Sequence, residues 1–252
     1  MPAPNAVYLG PDKSGSTWLY QYLQMHPQAF VPVVKELFFF DTYYDRGWDW
    51  YLSYYRDAPP NARVLADISH DYLFSDVASQ RMRELMPGTR LLVCLREPAE
   101  RAYSAYRYQV KQGRIASSFE DAIESTPELV DHGLYDIHLE RYKWALEKGT
   151  LSILWFDELK QDPQLFANHV AATLGLDAYW LPPEVKGTVL GAEQPRSTFV
   201  ASRAWRVGRW ARDHEMERMV TRAKNSHFVN HLLYRRAESH SEDLVLVDRL
   251  RS

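Results

Sequence analysis

Lys13-Ser14-Gly15-Ser16-Thr17 is the first group of residues that could do chemistry. A lysine brings full positive charge, the glycine lets backbone come close to a ligand, and three hydroxyls add hydrogen-bond donors. A helix opening here would add unpaired N–H groups and a partial positive charge, so the stretch is a candidate anion cradle. It does not end in the Gly-Lys-Ser/Thr of a nucleotide loop that sets its hydroxyl on Mg²⁺, because Lys13 comes first. An ordinary capped strand–turn–helix fits the same letters. A second candidate anion site pairs Arg96 with Ser104, and helical spacing would put Arg101, Ser104 and Tyr108 on one face. A local salt bridge from Arg96 to Glu100 is the plainer alternative. Two residues could accept a proton. Glu36 follows Lys35 inside an apolar run, where an unpaired charge is costly to bury. It is either a carboxylate in a cleft or part of a solvated edge. His70 follows an apolar run and has an ordinary pKa suited to neutral pH, although a surface histidine behind a capping Ser69 reads equally well.

The elements that would place these residues alternate in type. Ala6 to Leu9 reads as a strand broken by Gly10-Pro11, and the helix after it has an apolar face at Trp18, Leu19, Tyr22 and Leu23. His26-Pro27 ends that helix, and residues 30–34 run extended. A short aromatic helix is expected over 45–56, a strand over 63–68, and a helix over 74–86 stopped by Pro87-Gly88. Residues 90–95 are the most apolar strand, as in the middle of a parallel sheet. Pro98 opens a helix to about Val110, Ser118 starts another, and one amphipathic helix is expected over 136–148 before Gly149. A strand over 151–156 and a helix from Asp162-Pro163 to Leu174 complete the pattern. His70 and Arg96 then lie at carboxyl ends of strands, where open α/β sheets form their ligand crevice. The fold class is α/β, with a central parallel sheet flanked by helices. The 252 residues suit one domain, 1–252. A helix with a basic, solvated side is expected over about 199–212, and the region from about 213 reads as a lid or a truncated helix.

Composition narrows the partners. A net charge of −3 argues against a general nucleic-acid binder. The 8 Trp and 16 Tyr are generous; core filling accounts for most of them, and a pocket for a flat or apolar ligand for the rest. The single cysteine, Cys94, excludes an internal disulfide and a Cys-rich zinc site, and suits a reducing compartment. With no signal-peptide pattern and no 18-residue apolar run, the expectation is a soluble, cytoplasmic protein without a membrane partner.

Three separated segments resemble one family. Lys13-Ser-Gly-Ser-Thr17 is similar to the 5′-phosphosulfate loop of the sulfotransferases that use 3′-phosphoadenosine 5′-phosphosulfate (PAPS). Arg96-Glu-Pro-Ala-Glu-Arg-Ala-Tyr-Ser104 resembles their 3′-phosphate segment. Lys35-Glu36-Leu-Phe-Phe-Phe-Asp41 resembles the stretch bearing the base in the heparan sulfate and bacterial small-molecule branch. Pro195-Arg196-Ser197 is similar to a loop that closes over the nucleotide in bacterial members. The resemblance implies a P-loop-like sulfotransferase fold and transfer of a sulfuryl group from PAPS to a hydroxyl, or secondarily an amine, of a small molecule or carbohydrate. The product nucleotide is adenosine 3′,5′-bisphosphate (PAP). It makes Lys13, Glu36 and His70 the catalytic residues, and gives the donor to Lys13, Ser14, Gly15, Ser16, Thr17, Trp18, Arg96, Ser104, Arg196 and Ser197. No metal is expected, because Arg96 stands where a nucleotide-hydrolysing protein of this type places a metal-binding Asp. A P-loop-type small-molecule kinase and a non-catalytic nucleotide-binding module are the alternatives.

Overall fold

Strand β1, Ala6–Gly10, is buried along its whole length and sits in the middle of the sheet. A computed structural model describes residues 1–182 together with 193–195, 207 and 234–236. Arg196, Ser197, and nearly all of the expected 199–212 helix and of the tail lie outside the described residues. The chain divides into two compact units, residues 1–96 with 134–189, and residues 97–133 with 190–252.

In the first unit, β1 leads into α1 (Ser16–Met25) and then β2 (Ala29–Phe30). A single helical turn and α2 (Trp48–Ser53) precede β3 (Val64–Ile68), α3 (Asp76–Leu85) and β4 (Arg90–Leu95). The sheet is parallel, in the order β2-β3-β1-β4-β5, where β5 is Leu151–Trp155. Each strand alternates its side chains between two cores. Ala6, Tyr8, Ala66, Leu92, Cys94 and Leu154 face α1 and the late helices. Val7, Leu9, Leu65, Leu91, Val93 and Leu95 face α2 and α3. This two-sided burial is why the strands read as unbroken apolar runs.

The second unit contributes α4 (Pro98–Lys111), α5 (Phe119–Ser125) and α6 (Glu128–Asp131). Glu97 caps α4 by accepting from the N–H groups of Ala99 and Glu100, and Ser118 caps α5. Ala105, Ile115, Ala122 and Leu129 form its small core. Arg101 is fully buried here and donates from Nη2 to the carbonyl of Leu129, so it does not share an open face with Ser104 and Tyr108.

Back in the first unit, the expected helix over 136–148 is two short ones, α7 (Tyr135–Glu140) and α8 (Lys143–Glu147). Ser79 Oγ donates to the Arg141 carbonyl at 2.7 Å, and the buried Tyr142 hydroxyl reaches Tyr72 O at 2.7 Å. The Arg141 carbonyl, which a continuous helix would have used internally, is taken by a tertiary partner instead. The chain then runs from β5 through α9 (Phe156–Gln161) to α10 (Pro163–Leu174), which Asp162 caps and Gly175 ends in the left-handed conformation. In the second unit β6 (Glu193–Pro195) pairs antiparallel with β7 (Tyr234–Arg236). Among the described residues no helix is long and apolar enough to cross a membrane.

Candidate active site

The loop between β1 and α1 is held by close approach and by its own hydrogen bonds. Gly10 adopts φ +124°, and a Cβ there would lie 2.1 Å from the His70 carbonyl oxygen, so the chain passes directly against the end of β3. Tyr8 lies beneath the loop and its hydroxyl donates to Pro11 O at 3.0 Å. Lys13 and Gly15 both have positive φ, and Gly15 is the N-cap of α1 without a side-chain cap. The first N–H groups of α1 are therefore turned toward the carboxyl ends of the strands with the hydroxyls of Ser16 and Thr17 beside them. Arg96, just past β4, donates from Nη1 to Lys13 O at 3.1 Å and lies 4.8 Å from the centre of the Phe156 ring. It braces the loop backbone while bringing its own charge to the same place. Ser14 is fully buried, which leaves it a scaffold position within the loop.

Residues 35–38 come in from the other side. Glu36 and Phe38 have φ of 67° and 48°, unusual for side chains with a Cβ and worth about 1–3 kcal/mol of strain each. Bonds to β3 and its end fix them. Glu36 N–H donates to Ile68 O at 3.1 Å, and Phe38 N–H to Ser69 Oγ at 3.3 Å. Ser69 donates in turn to Asp67 at 2.7 Å, and the hydroxyls of Tyr51 and Tyr72 meet the same carboxylate at 3.0 and 3.1 Å. Burial pushes the Asp67 carboxyl up to about 6, against the lowering effect of those three donors. A lone acid inside the apolar run 64–68 is the sequence signal for this anchor.

The turn holds Glu36 among charges. Its Oε1 is 3.5 Å from Lys35 Nζ and 3.6 Å from His70 Nε2, and both Glu36 and His70 keep about a quarter of their side chains exposed (23% each). His70 Nδ1 is 2.8 Å from Asp71 Oδ1. Burial pulls the His70 pKa down, but Glu36, Asp71 and Asp12 outweigh it, and the net direction is up. A histidine biased toward its charged form is a poorer base than the carboxylate facing it. The folded-state pKa exceeds the unfolded one, so the stabilisation from this charge is complete below about pH 6.5 and is lost as pH rises through the raised value. His70→Asn should therefore cost more melting temperature at about pH 6 than at about pH 9. A gap that stays constant, or widens with pH, would contradict this electrostatic arrangement.

Lys35, given no role from sequence, belongs to the site: its Nζ donates to Ser16 Oγ at 3.1 Å and Thr17 Oγ1 at 3.2 Å. Lys13, Ser16, Thr17, Lys35, Glu36, His70 and Arg96 thus gather at one end of the first unit's sheet. Trp18 does not join them. It is 5% exposed, stacked 5.3 Å from Tyr22 and edge-on to Phe166, and so is a core residue. Ser104 is half-buried on α4 of the second unit. The aromatic segment 45–55 packs largely inward, with Tyr51 stacked on Phe39 at 4.5 Å and Trp48 5.8 Å from it. Among the described residues no group of three or more His, Cys, Asp or Glu side chains could hold a metal ion.

Comparison with known proteins gives this geometry a family. The description "Sulfotransferase domain" matches residues 4–234. The human bifunctional heparan sulfate N-deacetylase/N-sulfotransferase 3 is 29% identical over 195 residues, covering 69% of this chain and 22% of that protein. The membrane-associated sulfotransferase kil1 of Dictyostelium discoideum is 29% identical over 153 residues, covering 58% of this chain and 32% of that protein. The chain thus spans about a fifth to a third of the length of these curated relatives. Among solved structures, a sulfotransferase from Alicyclobacillus acidocaldarius aligns with TM-score 0.64 and 25% identity over 73% of this chain and 89% of that one. Mouse sulfotransferase SULT7A1 complexed with PAP shares the fold, with TM-score 0.51 and 14% identity over 81% of this chain and 66% of that one.

Proposed function

The chain belongs to the sulfotransferase family, and we propose that it transfers a sulfuryl group from PAPS to a hydroxyl of a small-molecule or carbohydrate acceptor. The observation that carries this reading is the meeting of a helix N-terminus, its hydroxyls and the cations Lys13, Lys35 and Arg96 with a carboxylate, Glu36, on the far side of Lys35. Such a donor set fits a phosphosulfate: the charges and N–H groups suit an anion, and the carboxylate suits an acceptor proton. Lys13, Ser16, Thr17 and the α1 N-terminus would hold the 5′ end of the donor. Arg96, at the end of β4, would hold its 3′-phosphate.

PAPS supplies the sulfuryl group: a sulfur–oxygen bond to the acceptor forms as the one to the 5′-phosphate breaks, and PAP leaves. Glu36 takes the acceptor's proton, a role typically worth about 10²–10⁴-fold. Lys13 and the helix N-terminus stabilise the charge that grows on the phosphate side, as preorganised donors do at an anion hole. His70, biased toward its charged form and facing Glu36, orients the carboxylate and contacts the acceptor. The heparan sulfate relative is named for N-sulfation, so an amine acceptor is an outcome of the same assay. Burial raises the Cys94 thiol pKa and leaves it an inert core residue, and a cytoplasmic setting is part of this reading.

The 3′-phosphate gives the test. PAP should raise the melting temperature clearly more than AMP, which lacks that group; a ligand at a hundredfold excess over its Kd stabilises by about 2.7 kcal/mol. Equal shifts from the two nucleotides would remove Arg96 from the donor site.

A further inference from the structure

The ammonium of Lys35 has three protons and three acceptors: Ser16 Oγ at 3.1 Å, Thr17 Oγ1 at 3.2 Å and Glu36 Oε1 at 3.5 Å. Two of these lie in the first turn of α1, which would hold the donor's 5′ end. The third is the carboxylate that would take the acceptor's proton. In an in-line displacement the moving group travels between those two ends, and Lys35 is the side chain that spans them. Its side chain is largely buried, with 18% exposed, so a group beside it meets a poorly screened charge. Burial also lowers the Lys35 pKa, with Glu36 pulling it back up, so a further anion beside it would favour the charged form.

We propose that Lys35 is a catalytic residue that contacts the sulfuryl group itself, and is the residue by which the site tells the charged donor from the spent nucleotide. This rests on the sulfotransferase reading above. Because Ser16 and Thr17 accept from Lys35, their own O–H protons point away from it and are free to donate to the phosphate beside them. The contact to Glu36 is the longest of the three at 3.5 Å, and the proton on that side is the one Lys35 turns to the oxygens on sulfur. Those oxygens carry the negative charge of the group in transit, and an ammonium placed alongside stabilises them from ground state through transfer. The proton inventory does not change in this step: Lys35 stays an ammonium throughout, and the acceptor's proton goes to Glu36.

The contrast between PAPS and PAP isolates this contact, because PAP keeps both phosphates and lacks the sulfuryl group. Titration calorimetry without acceptor, on the full chain, would compare the parent protein with Lys35→Met and Lys35→Arg. Lys35→Met should weaken PAPS by about tenfold or more, the usual worth of a hydrogen bond to a charged group, while PAP stays within about twofold. Lys35→Arg should retain part of the preference, because it keeps the charge and also guards against a folding defect in the methionine variant. If Lys35→Met weakens PAPS and PAP equally, Lys35 only arranges the phosphate loop and the proposal is overturned. If neither affinity changes, it is overturned as well. A parent protein that binds neither nucleotide would instead overturn the sulfotransferase reading, so the two failures are separate.

Discussion

Glu36→Gln is expected to lower kcat by about 10²-fold or more while PAP affinity stays within about twofold. The substitution keeps the size and the backbone demand of a residue at φ 67°, and removes the negative charge and with it the capacity to accept a proton. The carboxylate is built to act. Its turn is tied to Ile68 and Ser69, and Lys35 and His70 flank it at 3.5 and 3.6 Å. His70→Asn should cost less and fall mostly on acceptor KM, because the pull of Glu36, Asp71 and Asp12 biases the imidazole toward its charged form. Parallel steady-state kinetics on both variants decide the roles. A nearly normal Glu36→Gln beside an inactive His70→Asn would make His70 the base and Glu36 its carboxylate partner. Equal and non-additive losses would make the two a single unit.

The parts of this arrangement that were legible in the sequence are those governed by local rules. The runs 6–9 and 90–95 are apolar throughout because both faces of the sheet are covered, and both are strands in the structure. Gly10-Pro11 and Gly15 mark the turn because only a residue without Cβ fits against the His70 carbonyl and then enters a helix from positive φ. Pro98, Asp162-Pro163 and Gly175 mark helix ends by capping rules that need no tertiary information.

What sequence reasoning missed depends on partners distant in the chain. The 136–148 periodicity is helical, yet the break at Arg141–Tyr142 follows from Ser79 and Tyr72, some 60–70 residues away. In the sequence Lys35 is only the residue before Glu36, and its role follows from Ser16 and Thr17, residues brought to it by the packing of α1. Trp18 sits beside the donor loop in sequence, but helical geometry turns it onto Phe166 and into the core. Arg101 was grouped with Ser104 by spacing alone, whereas its guanidinium is used inside the second unit. In each case the residue type was informative and its direction was not.

The most direct test of the whole account is transfer of labelled sulfate from PAPS, in EDTA, to a panel of phenols, sugars and amines. Label should reach at least one acceptor, with hydroxyl compounds preferred, and EDTA should leave the rate unchanged. The reason is that Lys13, Lys35, Arg96 and the α1 N-terminus together meet the donor's negative charge, so no divalent cation is called for. Transfer should also collapse in Glu36→Gln on the same acceptor, tying the activity to this site. A protein that moves the γ-phosphate of ATP only when Mg²⁺ is supplied, and leaves PAPS untouched, would contradict the account. So would one that binds PAPS and passes its sulfuryl group to nothing on the panel.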